Sequence, residues 1–310
     1  METKTWKLGI IGWPLGYSLS PRMHRAVLKA AGLEGEYKEY TIELDPTDTD
    51  SGNYKKEAEW LSTVRDREKL DGLNVSMPCK PQVAAWCLSK DISIDQFAQF
   101  MDAVNTIRFE NRSAAGCNTD GVGFLQPLRD RGINLSAFRI LLLGAGGSAK
   151  AIAITLALQR EVRHLSIWNR HAERAKMLAN RANIVYCDRQ NNAGFAEAIQ
   201  EITPSVIREI DFLVNATPVG MVGQGEVPQE ILGQLHEGQI VYDIVYEPRE
   251  TALIRAARAR GCQVITGDEM LAAQGAASFK IWTGIDEVNR RSVLEIMRET
   301  LDKELRVGHQ

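Results

Sequence analysis

A short apolar strand that leads directly into a glycine-rich turn limits the possible folds of this chain more than any other stretch. Residues 140–143 are all Ile or Leu, which is typical of a strand buried on both faces of a sheet. The turn reads GAGGSA over residues 144–149, and a helix-forming run follows it to Gln159. A GxGxxG/A pattern indicates dinucleotide binding when it lies between a strand and a helix.

Each of three small residues in this turn is needed for a different physical reason. Gly144 permits the tight turn, Gly146 lets the backbone approach a pyrophosphate, and Ala149 lets the helix pack close to the strand. The helix N-terminus offers free N–H groups and the positive end of its dipole to the phosphates. An ordinary strand–helix turn is the alternative interpretation. The turn residues assigned to the cofactor are Gly144, Ala145, Gly146, Gly147, Ser148 and Ala149.

Bulk composition excludes several classes of function. At 310 residues, with a net charge of −3 and no basic block, the chain suits one large or two medium domains and no nucleic-acid surface. No apolar stretch is long enough to span a membrane, and none of signal-peptide type follows Lys4 and Lys7. The five cysteines form no CxxC pair, so we expect free thiols in a reducing cytoplasm and no metal site.

The rest of the chain alternates between strand-like and helix-like stretches. Before the turn, the predicted strands are 7–11, 37–44, 73–76 and 103–109, and the predicted helices are 21–31, 54–67 and 80–88. Ser20 is the predicted cap of the first helix, and 116–121 is predicted to be a loop that crosses into a second domain. After the turn, the predicted strands are 164–168, 184–187, 212–215, 239–245 and 263–266, and the predicted helices are 171–180 and a long amphipathic one at 286–306.

This order predicts an α/β fold in two parts. The strands from residue 140 onward make a Rossmann-type doubly wound parallel sheet of about six strands. The residues before residue 120 make a smaller α/β domain of their own. The last helix must bury an apolar face that contains Val288, Leu294, Met297 and Leu301.

The residues after the second strand of the Rossmann-type part indicate which dinucleotide is bound. That strand ends in Trp168-Asn169-Arg170, without the carboxylate that accepts the ribose 2′-OH of NAD. Arg170 and Arg174 are four residues apart at the predicted start of a helix, so they can share a face. A guanidinium binds a 2′-phosphate with two hydrogen bonds, which favours NADP. The alternative is that both arginines are solvated surface charges.

Eight segments in order resemble the shikimate dehydrogenase family, including its quinate/shikimate dehydrogenase branch. The resemblance covers nearly the whole chain. Its segments are 18–24 (SLSPRMH), 72–80 (GLNVSMPCK), 103–106 (AVNT), 116–120 (GCNTD), the glycine turn with 169–170, 215–217 with 220–221, 243–248 (DIVYEP) and 270–276 (MLAAQGA).

The resemblance implies a reversible hydride transfer between NADPH and the ring ketone of 3-dehydroshikimate, a step of chorismate and aromatic amino acid biosynthesis. It makes Lys80 the acid/base and Asp120 its charge partner. It also implies that residues 1–119, completed by 268–310, bind the substrate, and that 120–267 bind NADP. We expect a monomer or homodimer with a small-molecule substrate.

Further site residues follow from the same resemblance. The substrate-binding residues are Ser18, Ser20, Asn74, Ser76, Asn105, Thr119, Tyr246 and Gln274, with Ser18 and Ser20 on the carboxylate. The cofactor-binding residues beyond the turn are Asn169, Arg170, Arg174, Asn215, Thr217, Val245, Gly267 and Met270. Helix capping by Ser20 and turn or strand-end bonds of Asn74 and Asn105 are the alternatives, and His24 is expected to be structural.

Departures from the family pattern concern substrate preference more than the reaction. They are Tyr17, Arg25, Ser76, which keeps a hydroxyl, and Asp102. One competing hypothesis is a quinate/shikimate dehydrogenase that uses NAD or NADP. Another is a non-catalytic NADP-binding sensor, against which the presence of both Lys80 and Asp120 argues, since a sensor needs no proton-transfer pair.

Overall fold

Two compact units divide the chain in the computed structural model. The structure describes residues 4–16, 18–42, 52–110, 113–136, 138–159, 162–187 and 194–307. The first unit consists of Met1–Gly123 with Ala272–Arg306, and the second of Phe124–Leu271 with Val307–Gln310. The divisions after residues 123 and 271 fall four residues beyond the predicted boundaries at 119 and 267. Tyr17 and the last two residues of the predicted strand 37–44 lie outside the described ranges.

The first unit contains a mixed six-stranded sheet. Its strands are β1 (Trp6–Gly12), β2 (Gly35–Thr41), β3 (Gly72–Val75), β4 (Ser93–Ile94), β5 (Thr106–Phe109) and β6 (Ala114–Cys117). Its N-terminal helices are α1 (Ser20–Ala30), α2 (Gly52–Glu68), α3 (Lys80–Ser89) and α4 (Gln96–Met101), and α5 (Asp120–Asp130) follows. The strand order is β2-β1-β3-β5-β6-β4, in which β5 runs antiparallel to β3 and β6.

The second unit contains a parallel six-stranded sheet. Its strands are β7 (Arg139–Leu143), β8 (His164–Trp168), β9 (Ala196–Ala198), β10 (Phe212–Asn215), β11 (Ile240–Asp243) and β12 (Gln263–Thr266). The helices are α6 (Gly147–Gln159), α7 (Ala172–Cys187), α8 (Pro204–Glu209), α9 (Gln229–Leu232) and α10 (Ala252–Ala259). The order β12-β11-β10-β7-β8-β9 is the doubly wound order of a Rossmann fold, so the predicted fold class is confirmed.

The central strand of this sheet is apolar throughout because both of its faces are covered. Ile140 and Leu142 pack into a core with α6, whereas Leu141 and Leu143 pack into a second core with α10. All four side chains are at most 4% exposed. Alternate residues of a strand point to opposite faces, so only a strand buried on both sides needs an unbroken apolar run.

The C-terminal segment adds helices and a short hairpin to the first unit. Its elements are α11 (Gly267–Thr283), β13 (Glu287–Val288), β14 (Arg291–Ser292) and α12 (Val293–Val307). The Trp282 indole donates to the backbone oxygen of Ile107 on β5 at 2.9 Å. Arg22 of α1 forms an ion pair with Glu304 of α12. These contacts tie the end of the chain to the first sheet and its helices.

The predicted start of the last helix at residue 286 is wrong. The chain first makes the β13–β14 hairpin, whose turn residues Asn289 and Arg290 have φ of 52° and 67°. Val288 therefore lies on a strand, and the apolar face of α12 begins with Val293 and continues through Met297 and Leu301, while Leu294 is half-buried. Left-handed φ values are uncommon outside glycine, and of the two turn residues only Asn289 is of a type that favours them, so the sequence signal for this turn was weak.

The predicted strand at 184–187 is also wrong, because these residues form the last turn of α7. Ala175, Leu178, Ala179 and Ala182 recur at helical spacing and are buried. The Ile184 side chain is 72% exposed, so it does not pack into a core as a buried strand residue would. The third strand of the sheet is β9, which follows in 196–198.

Two local predictions before the glycine turn need correction. The predicted loop at 116–121 is instead the end of β6 and the start of α5, since Gly116 and Cys117 pair with β5 and Asp120 begins the helix. Ser20 does not cap α1: Leu19 occupies the cap position, Ser20 lies inside the helix, and no side chain makes a capping bond.

Three general features bear on the class of protein. All five cysteines are free thiols. No helix in the described ranges is both long and apolar enough to cross a bilayer. The same ranges hold no group of three or more His, Cys, Asp or Glu side chains arranged for a metal ion.

Candidate active site

The first unit brings Lys80 and Asp120 into an ion pair. Lys80 is the first residue of α3 and Asp120 the first of α5, and Lys80 Nζ lies 2.7 Å from Asp120 Oδ2. The side chains are 14% and 3% exposed, so both charges are largely withdrawn from water. Asn118 fixes the start of α5, because its Oδ1 accepts from the Asp120 N–H at 2.9 Å. An ammonium held this way can give and take a proton at a nearby oxygen.

Asn105 holds the second oxygen of the Asp120 carboxylate. Its Nδ2 donates to Asp120 Oδ1 and to Thr119 Oγ1, both at 3.0 Å. Its Oδ1 accepts the Thr119 N–H at 2.9 Å, which fixes the orientation of the amide. The predicted site residues Asn105, Thr119 and Asp120 are thus joined in one buried group.

Asn74 lies beside this group but uses its polar atoms within the protein. Its Oδ1 accepts from the Tyr37 hydroxyl at 2.8 Å. Its Nδ2 lies 3.1 Å from Ser278 Oγ and 3.3 Å from both Thr106 Oγ1 and the Asn105 carbonyl oxygen. These bonds match the structural alternative for Asn74.

The remaining predicted substrate residues of the first unit lie on three different elements. Ser18 precedes α1 and Ser20 opens it, and the Ser20 N–H is 3.4 Å from Ser18 Oγ. Ser76 follows β3, where its N–H donates to the Ile11 carbonyl at 2.8 Å. Gln274 lies on α11 and is half-buried.

His24 is buried in an aromatic cluster, as expected of a structural residue. Its ring stacks on Tyr37 with centroids 4.6 Å apart and lies 5.2 Å from the Trp282 ring. Neither ring nitrogen has a partner of hydrogen-bond geometry in the described part of the chain. Burial lowers the pKa of His24 to about 3, and the Asn74 side chain opposes that shift. The imidazole is therefore neutral.

The glycine turn of the second unit has one position closed to a side chain and two that are open. Gly144 has a φ of +114°, and a Cβ there would lie 2.7 Å from the Ala216 carbonyl oxygen. A Cβ at Gly146 or Gly147 would meet nothing within 4 Å. Ala149 is fully buried against the sheet. The start of α6 therefore presents an open backbone surface, of the kind a pyrophosphate can approach.

The residues predicted to read the 2′-phosphate follow β8. Asn169 Oδ1 accepts the His171 N–H at 2.9 Å, which makes a turn before α7 begins at Ala172. Arg170 therefore precedes the helix and only Arg174 lies on it, so the expectation that both share a helix face is wrong. Both side chains are exposed, and neither forms an ion pair within the described residues.

Asn215 and Asp243 form a buried pair at the carboxyl ends of β10 and β11. Asn215 Nδ2 donates to Asp243 Oδ1 at 2.9 Å, and its Oδ1 accepts from the Thr217 hydroxyl at 2.6 Å. Thr251 Oγ1 donates to Asp243 Oδ2 at 2.7 Å. Burial raises the pKa of Asp243, while these hydrogen bonds and that of the Val245 N–H lower it. The pair shapes the two loops that follow the strands.

The other predicted site residues of the second unit follow Asp243 in the sequence. Val245 and Met270 are 5% exposed. A Cβ at Gly267 would lie 2.2 Å from the Ile244 carbonyl oxygen, so only glycine fits there. Burial raises the pKa of the Tyr246 hydroxyl, and the neighbouring Glu247 carboxylate adds to the shift.

The residues that sequence reasoning missed are the partners of the predicted ones. They are Tyr37, Thr106, Asn118, Asp243 and Ser278. A polar residue that ends an apolar strand was a usable signal for Asp243, since such ends face ligands in doubly wound sheets. Ser278 lies in an ordinary helical sequence and had no local signal.

Three family models match the chain in order. Residues 10–107 match the shikimate dehydrogenase substrate binding domain, 128–218 match shikimate / quinate 5-dehydrogenase, and 267–301 match the shikimate 5′-dehydrogenase C-terminal domain. The NADP+ shikimate dehydrogenase of Methanopyrus kandleri is 35% identical over 304 residues, covering 96% of this chain and 98% of that protein.

Solved structures give the same result. The shikimate 5-dehydrogenase of Thermus thermophilus, in complex with NADP(H) and shikimate, has a TM-score of 0.77 and 30% identity, covering 96% of this chain and 99% of that one. A quinate dehydrogenase from Corynebacterium glutamicum, in complex with NAD, has a TM-score of 0.80 and 27% identity over 96% and 99% of the two chains. With these similarities over 96% of its length, the chain belongs to the shikimate dehydrogenase family.

Proposed function

We propose that this chain is an NADP-dependent shikimate dehydrogenase that reversibly reduces 3-dehydroshikimate to shikimate. The observation that carries the proposal is the Lys80–Asp120 ion pair at 2.7 Å, with Asn105 on the other carboxylate oxygen. The reaction itself is inferred from membership of the shikimate dehydrogenase family, and the Lys80–Asp120 pair is suited to the proton transfer that this reaction needs. The cytoplasm and a monomeric or homodimeric state are part of the proposal, and the five free thiols support a reducing compartment.

The residues of the second unit fit a dinucleotide. When bound, NADPH would supply the hydride for the reduction, and NADP+ would accept it in the reverse reaction. The open backbone at Gly146 and Gly147 suits the pyrophosphate, and Arg170 and Arg174 are exposed cations suited to a 2′-phosphate. We assign Asn215 and Thr217 to shaping the loop beside the cofactor, because the Asn215 amide is taken up by Asp243, Val219 and Thr217.

The protein's own part in the reaction is the movement of one proton. Lys80 donates a proton to the carbonyl oxygen on reduction and takes it back on oxidation, while Asp120 keeps the ammonium in position. Ser18 and Ser20 are proposed to bind the ring carboxylate. Ser76, Asn105, Thr119, Tyr246 and Gln274 are proposed to contact the rest of the ring, with Thr119 and Asn105 offering little surface because each is 3% exposed.

Initial rates with shikimate and quinate, each with NADP and NAD, test the proposal. We expect the highest kcat/KM with shikimate and NADP. In the same assay Arg170→Ala is expected to raise the KM for NADP at least tenfold, because a charge-assisted hydrogen bond contributes about 1.5–3 kcal/mol, and to leave the KM for NAD unchanged.

The other outcomes separate the competing functions. Comparable rates with quinate and NAD would favour the second candidate, a quinate/shikimate dehydrogenase, which the similarity to a quinate dehydrogenase supports. NADP binding without turnover of any cyclic hydroxy acid would favour a non-catalytic sensor.

A further inference from the structure

Ser278 is a buried serine of α11 whose hydroxyl lies among the polar groups of the first unit. It is 1% exposed. Its Oγ lies 2.8 Å from Thr106 Oγ1, 3.1 Å from Asn74 Nδ2 and 3.3 Å from Thr119 Oγ1. The Gln274 carbonyl oxygen, one helical turn earlier, is 3.0 Å away. A helical hydroxyl that served only its own helix would need this last contact alone.

The direction of the hydrogen bonds follows from groups that can only donate or only accept. Asn74 Nδ2 lies 3.3 Å from the Asn105 carbonyl, so it is the donor end of that amide and Ser278 Oγ accepts from it. Asn105 Oδ1 accepts the Thr119 backbone N–H, so it is an acceptor and Thr106 must donate to it at 2.9 Å. With its own proton used, Thr106 Oγ1 accepts from Ser278 at 2.8 Å, and the single Ser278 proton is shared between this oxygen and the Gln274 carbonyl oxygen at 3.0 Å.

The chain of bonds ends at the Lys80–Asp120 pair. Ser278 donates to Thr106, Thr106 donates to Asn105, and Asn105 donates to Asp120 Oδ1 at 3.0 Å. Asp120 Oδ2 holds the Lys80 ammonium. All five groups are mostly or fully buried, where one hydrogen bond strengthens the next.

We propose that Ser278 is a positioning residue for the Lys80–Asp120 pair, acting through Thr106 and Asn105 without touching substrate or cofactor. The proposal deepens the shikimate dehydrogenase function and rests on it for its kinetic test. It makes Ser278 of α11, which lies 158 residues after Asp120 in the sequence, a part of the proton-transfer machinery.

Attachment of α11 to the sheet does not need the Ser278 hydroxyl. Trp282, one turn later on the same helix, donates to the Ile107 carbonyl of β5 at 2.9 Å. Phe279 is fully buried beside Ser278 in the sequence. Loss of one hydroxyl should therefore leave the helix in place while breaking the chain of bonds.

Kinetics of Ser278→Ala, Thr106→Val and the double variant test the inference. We expect each single variant to lose about tenfold in kcat for shikimate oxidation, the effect of about one hydrogen bond, with the KM for shikimate within about twofold of wild type. The double variant should lose no more than either single one, because both break the same chain. Thr106→Ser, which keeps the hydroxyl, should retain wild-type kcat.

Thr155→Val is the matched control. Thr155 is a buried helical hydroxyl, 2% exposed, that bonds the carbonyl of Ala151 four residues earlier. It should leave kcat unchanged. Losses that add in the double variant, a rise in KM at constant kcat, or no loss in both single variants would overturn the proposal. If Ser278→Ala does not fold, Thr106→Val against Thr106→Ser decides it.

A second readout does not depend on activity. The side-chain amide signals of Asn105 in a ¹H–¹⁵N spectrum, assigned by their disappearance in Asn105→Asp, should move in Ser278→Ala and stay in Thr155→Val. Unmoved Asn105 signals would contradict the positioning role. A wild-type protein without shikimate turnover would reject the proposed function alone, and the spectrum would still decide the role of Ser278.

Discussion

Asp120 divides its carboxylate between two donors, with Oδ2 on the Lys80 ammonium and Oδ1 on the Asn105 amide. A buried charge that loses its partner is costly, whereas a buried pair with its remaining positions bonded is tolerated. The same hydrogen bonds fix the position of the Lys80 ammonium, from which we expect the proton to be transferred. We therefore expect a change in Lys80, Asp120 or Asn105 to affect all three residues.

Lys80→Ala tests the role of the ammonium. We expect kcat with saturating shikimate and NADP to fall about 10²–10⁴-fold, as for loss of a general acid, with a smaller change in shikimate affinity because Ser18 and Ser20 remain. Asp120→Asn should also lose rate, since it removes the charge partner. Lys90→Ala, an exposed lysine after the same helix, is the control. A Lys80 variant with near-normal kcat and a raised KM would make this lysine a binding residue.

His24 makes the stability of the first unit depend on pH. Its pKa is lowered by burial from 6.5 to about 3, so between these pH values the unfolded chain binds more protons than the folded one. The contribution of the neutral ring is complete above pH 6.5 and is lost as pH falls toward 3, at about 1.4 kcal/mol per pKa unit.

Urea unfolding at pH 7 and pH 4.5 measures this dependence. We expect His24→Phe, which keeps an aromatic ring beside Tyr37, to lose less stability than wild type between these two pH values. His164→Gln, at a histidine that is 34% exposed, is the control and should follow wild type. An equal loss in His24→Phe and wild type would be inconsistent with a buried neutral imidazole.

At the scale of elements, the strand, turn and helix around residue 144 form as the sequence predicts. Their prediction succeeds because the apolar run and the glycines that determine them lie within the same short stretch. Gly144 is required by its φ of +114° and by the Ala216 carbonyl 2.7 Å from a would-be Cβ. Gly146 has an ordinary φ and free space, so nothing in the fold requires glycine there. The difference separates a glycine needed for folding from one needed for a ligand.

Alanine at these two glycines should therefore have opposite effects. Gly144→Ala is expected to lower the unfolding temperature, with a cost of about 1–3 kcal/mol for the strained backbone and little room to relax. Gly146→Ala should unfold like wild type but bind NADP more weakly, because its methyl group occupies the approach to the helix N-terminus. Thermal unfolding and an NADP titration measure both. Wild-type NADP affinity in Gly146→Ala would remove the pyrophosphate from this position.

Elements whose reasons are not local were the ones that sequence patterns missed. Residues 184–187 have strand-like side chains, yet they stay helical because α7 packs Ala175, Leu178 and Ala182 into the core that it shares with α6 and β8. The β13–β14 turn depends on two non-glycine residues at positive φ. The candidate site also contains contacts that sequence patterns cannot predict. Asn74 and Ser278 form a hydrogen bond although they are 204 residues apart in the sequence, and a local pattern does not report on such a pair.

At the scale of the whole molecule, each unit has its own apolar core and its own proposed ligand. Hydrogen exchange can assign the ligands to the units. We expect shikimate alone to slow exchange in β3, α3 and the start of α5, and NADP alone to slow it in the glycine turn and the loop after β10, because bound ligand opposes local opening. Adenosine is the control for non-specific protection. Protection by NADP confined to residues before 124 would contradict the division of roles.

The first unit is built from both ends of the chain, with the second unit's sequence between them. During synthesis on a ribosome, Asn74 and Thr106 emerge early, whereas their partner Ser278 emerges more than 150 residues later. The contiguous stretch 124–271 contains all six strands of its sheet and precedes most of α11 and all of α12 in the order of synthesis. The first unit therefore stays incomplete until α11 and α12 have emerged, and we expect the bonds that lead from Ser278 to Lys80 to be among the last that the nascent chain makes.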